Sequence, residues 1–263
     1  RELHTIRESC DMIDTILDDN GDVIYVHKGD NLASIIETAP PSSVLMIDAE
    51  YETDADLVLT KPITMQSDNL VTGRANPTYQ MPVIRGSLVS EAVAMISNIH
   101  ISGVKREGAL VVAGDHLSLV GCVVHGSAYG QHRGILANSD GLNLIDSWVG
   151  NIFDSIDTQA LVGWDRSRNW NVKNCYLEAS GENILLGGDD ASSEANIPEN
   201  ISIVGCDINK PLGWKGDPTI TVKNLFEIKN AKKVLMNDCH LTNCWRSGQD
   251  GYGILLTVRN QEG

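Results

Sequence analysis

Five eleven-residue stretches of the chain share one pattern of apolar and polar positions. They are His116–Gly126, Gly141–Asn151, Asn169–Ala179, Asn200–Lys210 and Lys233–Asn243. Each reads apolar, any, apolar, two turn-like residues, a small residue, any, apolar. Apolar residues at every second position mark a strand with one buried face. The Gly, Asn or Asp ahead of the small residue marks a bend into a second short strand. The small residues are Cys122, Ser147, Cys175, Cys206 and Cys239, and a weaker copy places Ile99 in the same column. Successive members lie 23, 25, 28, 31 and 33 residues apart. A repeat of that period, with connections that lengthen along the chain, is the pattern of a solenoid.

A further apolar strand precedes each copy or opens a new round. The trios are Leu110–Val112, Ile135–Ala137, Ala160–Val162, Ile184–Leu186, Phe226–Ile228 and Ile254–Leu256. Two or three short strands per turn, with turn residues at the corners, predict an all-β fold, a right-handed parallel β-helix. A β-sandwich would show hairpin signals every 8–12 residues without a repeating column. If the first residue of each trio is buried, Val111, Leu136, Leu161, Leu185, Glu227 and Leu255 form an outward row. An aliphatic outer row needs a cover, either long loops or another subunit.

Upstream, Leu3, Ile6, Cys10, Ile13 and Leu17 follow a heptad spacing over barely two heptads. They form either a short oligomerising helix or a helix lying on the solenoid; the first favours another subunit as cover, and β-helices that associate side by side point to a homotrimer. Asp30 is the expected cap of a short helix over Leu32–Thr38, ended by Pro40-Pro41. Such a helix would cover the open first coil. The expected organisation is an N-terminal helical cap over residues 1–42 and a parallel β-helix over 43–263. The last strand trio lacks partner strands, so the native chain is expected to continue past Gly263.

Composition narrows the reading. Aromatic residues make up only 5% of the 263, which suits a narrow core of Val, Ile and Leu. The formal net charge of −15 argues against nucleic acid or an anionic membrane as partner. No apolar run is long enough to insert in a membrane. The six cysteines include no CxxC pair, so zinc is not expected. Cys175, Cys206 and Cys239 on successive coils read as an inward stack of small thiols or, alternatively, as disulfide or metal partners.

The segments Asp157–Trp164 (DTQALVGW), Leu177–Asp190 (LEASGENILLGGDD), Lys210–Trp214 (KPLGW) and Val222–Gly263 carry a resemblance. The chain from about Arg133 onward resembles a largely uncharacterised bacterial and phage family of parallel β-helix proteins in the pectin-lyase-like superfamily. The resemblance implies the fold. By fold analogy alone it implies glycans as partners, since the superfamily contains polysaccharide lyases, polygalacturonase-like hydrolases and phage tailspikes.

Two sets of residues could carry chemistry. Trp148 and Tyr176 occupy matching outward positions one coil apart, where exposed rings would form a platform for sugars. Asp165, Asp189 and Asp190 follow the first strand of neighbouring coils and are the candidate catalytic carboxylates. The Gly-Gly-Asp-Asp run resembles the paired-Asp motif of polygalacturonase-like hydrolases, but His125-Gly126 precedes the pair instead of following it. Asp pairs in loops also serve as turn formers or as Ca²⁺ ligands. His132 and Arg133, with Thr158, Glu182, Asp157 and Tyr252 nearby, read either as a lyase-type base and cation or as a salt-bridged corner. Trp214 and Trp245 sit in the long late loops as further substrate-binding candidates. The sequence reading is an extracellular or virion-associated protein that recognises polysaccharide and, in its stronger form, cleaves it as a lyase or glycoside hydrolase. The alternative is a non-catalytic shaft of a tail fibre or spike.

Overall fold

The structure, a computed structural model, describes residues 21–257. It is a parallel β-helix. Eight coils each contribute one strand to three parallel sheets, called A, B and C in the order the chain meets them. Val23–Val26 adds a ninth strand to sheet A by pairing with Ser43–Ile47. The heptad positions Leu3 to Leu17 lie outside the described residues. No helix among the described residues is long and apolar enough to cross a membrane.

The bend from sheet A to sheet B explains the repeat. In coils 3 to 8 it is two residues long. Its first residue is Asn98, Gly121, Asp146, Asn174, Gly205 or Asp238, with φ between 52° and 66°. Gly, Asn and Asp tolerate this left-handed conformation best. Its second residue is Ile99, Cys122, Ser147, Cys175, Cys206 or Cys239, which points into the core. The cysteine thiols donate to carbonyls of the neighbouring coil, as in Cys122 to Ile96 (3.3 Å) and Cys175 to Leu144 (3.2 Å). Burial pushes the Cys122 thiol up to about 11. All five described cysteines are free, so the inward stack of thiols is the arrangement observed.

Sheet A alternates as its pattern predicts. Leu119, Leu144, Val172 and Ile203 stack inward, while Ser118, Asn143, Asn171 and Ser202 pair on the outer side. Each fully buried Leu or Ile contributes about 1.5–3 kcal/mol relative to exposure.

Sheet C departs from the predicted register at two coils. The pairing aligns Val111, Ile135, Leu161, Ile184, Phe226 and Ile254 in one column. Val111 and Leu161 are therefore core residues. The outer row is Val58, Val89, Val112, Leu136, Val162, Leu185, Glu227 and Leu255. The sequence pattern places the trios at Leu110 and Ala160 one residue early, because their strands are continuously apolar and hide the alternation. A one-residue slip exchanges the faces.

Helix α1 (Leu32–Thr38) closes the first coil, burying Leu32 and Ile36 in the core. Its cap is Asn31, whose side chain accepts from the Ser34 amide (3.0 Å), and not Asp30 as expected. Asp30 instead accepts from the His27 amide (2.7 Å) and closes the preceding turn.

Candidate functional site

Sheet B carries a ladder of rings on its outer face. Val123, Trp148, Tyr176, Asp207 and His240 pair in one column, as the outward reading requires. Trp148 and Tyr176 are half-buried and stacked, with centroids 5.6 Å apart and planes 8° apart. His125 stacks on the other side of Trp148 at 5.5 Å, and His100 follows it at 5.9 Å. The stacking turns much of each ring face onto its neighbour, in the offset arrangement aromatic pairs prefer. Gly150 makes this packing work. A Cβ there would lie 2.6 Å from the indole edge of Trp148.

Polar groups surround the upper end of the ladder. The Tyr176 hydroxyl donates to Glu178 (2.6 Å) and accepts from the Asn209 amide (2.9 Å). Burial, then Glu178, raises the Tyr176 pKa, so the phenol stays protonated. His240 faces Asp207 through Nδ1 (3.2 Å).

A strap crosses this face. Residues 68–82 connect sheets A and B in coil 2, and Val71, Ala75 and Met81 pack over Val123 and Trp148. Arg74 anchors the strap far up the solenoid. It pairs with Asp207 and donates to the Asn174 carbonyl (2.9 Å), the Asn174 side chain (2.9 Å) and the Gly205 carbonyl (3.1 Å).

The other predicted residues lie elsewhere. His132 and Arg133 stand at the corner between sheets B and C. His132 Nε2 lies 3.4 Å from Asp154, which Arg106 also grips. Arg106, outweighing burial, holds the Asp154 carboxyl at about 2. Arg133 packs over the Trp164 ring, 5.7 Å from its centroid. Glu182 accepts from Gln159 (2.9 Å) and pairs with Lys223 (3.3 Å), which also pairs with Asp157. The geometry of this corner is that of a salt-bridged network. Trp214 leans on Phe153 at the same corner, with centroids 5.9 Å apart, and half-buried Trp245 lies in the corresponding loop of the last coil.

Asp165, Asp189 and Asp190 lie at the corner between sheets C and A. Asp165 accepts from the backbone amide and hydroxyl of Ser192, both at 2.8 Å, and so holds the next loop. Asp189 accepts from the Asp190 amide (3.0 Å), as a turn former does. A strand of sheet C separates these carboxylates from the aromatic face. No group of three or more His, Cys, Asp or Glu able to hold a metal ion occurs among the described residues.

Sequence reasoning missed the strap, His100, the place of His125 in the ladder, and Lys210. His125 stands two residues after outward Val123, so extending the alternation by one step would have found it. Lys210 is fully buried. Its ammonium donates to the carbonyls of Ala179 (2.8 Å), Ser180 (3.1 Å) and Gly181 (2.5 Å) and to the Asn183 side chain (2.8 Å).

Compared with known proteins, the chain matches no family model and no curated protein sequence.

Proposed function

We propose that this β-helix is an extracellular or virion-associated protein of the pectin-lyase-like kind that recognises polysaccharide along the outer face of sheet B. The observation that carries the reading is the four-ring ladder His100–His125–Trp148–Tyr176, with carboxylate, amide and imidazole groups at its upper end. Aromatic surface combined with a few placed polar groups is how proteins hold sugars. The test is binding to a panel of polysaccharides. Trp148→Ala should weaken binding about tenfold, roughly one aromatic contact (~1.4 kcal/mol). Unaltered affinity in that variant would remove the ladder from the reading. Cleavage, as lyase or hydrolase, is the stronger form. It is tested by following reducing ends and unsaturated products; because Asp165, Asp189 and Asp190 lie at the corner between sheets C and A, full activity in Asp165→Asn and in Asp189→Asn, Asp190→Asn variants would remove those carboxylates from the reading and leave the ladder.

A second reading is a non-catalytic shaft that associates side by side, as a homotrimer. The aliphatic outer row of sheet C favours it, since Val58 is 47% exposed and Val89, Val112 and Leu136 are half-buried. Light scattering of the intact chain tests it, and a monomer at micromolar concentration would dismiss it.

A further inference from the structure

We infer that the cleft between the strap and the first three coils is a subsite for one uncharged sugar unit, at the lower end of the ring ladder. This rests on the glycan reading above and adds both the place and the charge class of the ligand.

The cleft lies where the strap leaves the surface of the sheet. It has a volume of about 440 Å³, and Lys28, Glu50, Glu52, Tyr79, Gln80 and His100 contribute to its lining. That volume falls within the size range of small-ligand sites. Tyr79 hangs from the strap with its side chain 42% exposed, which gives an aromatic wall that no neighbouring ring covers among the described contacts. The strap holds that wall in place. The Tyr79 amide donates to the Asn76 carbonyl (3.0 Å), and Asn69 donates to the Gln80 carbonyl (3.3 Å).

His100 supplies the floor. Its Nε2 is buried, and no described residue offers it a hydrogen bond. A buried polar atom left without a partner costs free energy, and a ligand hydroxyl recovers it only where the His100 ring turns Nε2 toward the cleft. Burial first, then the neighbouring His125 and Arg85, lowers its pKa to about 4. At neutral pH the ring is therefore an uncharged donor and acceptor, matched to a hydroxyl.

Charge excludes the acidic sugars. Glu50 and Glu52 line the cleft with Lys28, Glu52 is paired with Arg85 (2.8 Å), and the chain carries a formal net charge of −15, so Glu50 and the overall field oppose an acidic sugar. A uronate placed here would face like charges. A neutral unit offers hydroxyls to Glu50, Gln80, Lys28 and His100, and a C–H face to Tyr79. His100 also belongs to the ring ladder through His125, whereas Val123, the next residue of its column, lies buried under the strap.

The test is calorimetric titration of the intact chain with maltohexaose, cellohexaose, chitohexaose and hexagalacturonate. At least one neutral hexasaccharide should bind, at least tenfold more tightly than hexagalacturonate. Tyr79→Ala, on the exposed strap, should weaken that binding about tenfold, and His100→Gln should do the same. Binding that survives both substitutions, or is lost only in Trp148→Ala, overturns the cleft and leaves the ladder standing. Tightest binding by hexagalacturonate overturns the uncharged class. No binding by any of the four overturns the glycan reading together with the cleft.

Discussion

The two corners flanking sheet B are built on opposite principles. The A-to-B bend uses two residues and a backbone conformation, repeated from Asn98 to Asp238. The B-to-C corner varies from two residues at Ser180-Gly181 to the long segment 210–225, and is held by side chains from other coils. In the first, each coil repeats the same local solution. In the second, each coil borrows from its neighbours. The first should therefore tolerate substitutions that keep local geometry. The second should fail when one partner is removed.

Lys210→Met is expected to have the largest effect. It removes the donor that serves three carbonyls and the Asn183 side chain in the dry corner. The loss should be about 3 kcal/mol, since buried acceptors left unmet cost about 1–3 kcal/mol each and part of that relaxes. Urea unfolding measures it. A loss below about 0.5 kcal/mol would show that the corner does not depend on its lysine.

The same residue gives a pH signature. Burial lowers its pKa to about 7, below the ordinary value of 10.5. Between those values the unfolded chain holds a proton that the folded chain has released. Stability contributed through Lys210 therefore rises as pH climbs from about 7 toward 10. Subtracting the profile of Lys210→Met from that of the natural sequence should isolate this rise, and parallel profiles would contradict it.

Substitutions at the regular bend should cost less. Cys206→Leu overfills the inward column and should destabilise by about 1–3 kcal/mol. Gly205→Ala keeps a left-handed φ of 66° with an L side chain, at a cost of about 1 kcal/mol. No atom lies closer than 4.0 Å to the added Cβ, so crowding adds nothing. Gly205→Asn should be the mildest, within about 0.5 kcal/mol, because Asn98 and Asn174 already adopt this conformation at the equivalent position. Thermal unfolding of the three variants gives the order. Gly205→Asn falling below Gly205→Ala would show that the bend depends on glycine itself.

This contrast also explains what could be read from the chain alone. The sheet A and B strands and the column from Ile99 to Cys239 were legible because left-handed bends restrict the residues that precede them. Outward Trp148 and Tyr176 followed from that register. Sheet C is less legible, because Ala160–Val162 and Ala109–Val112 are apolar without alternation, which leaves the buried face ambiguous there. The environment of His132, Asp154 and Lys223 was not legible, because their partners lie on other coils and no spacing encodes them. The cleft at Tyr79 and His100 was hidden for the same reason. Its walls are 21 residues apart in sequence, and a loop brings them together.

The strap alters how the molecule comes apart. A stack of coils in which each touches only its neighbours behaves as a one-dimensional array that can unzip from either end. Arg74 and Asp207 are 133 residues apart in sequence, and their contact ties the second coil to the seventh. Opening any coil between them disturbs both ends of that tie. The middle of the solenoid is thereby fastened into one cooperative block, with coil 8 outside it. Mechanical or thermal unravelling from the last coil should meet its first strong resistance at Asp207.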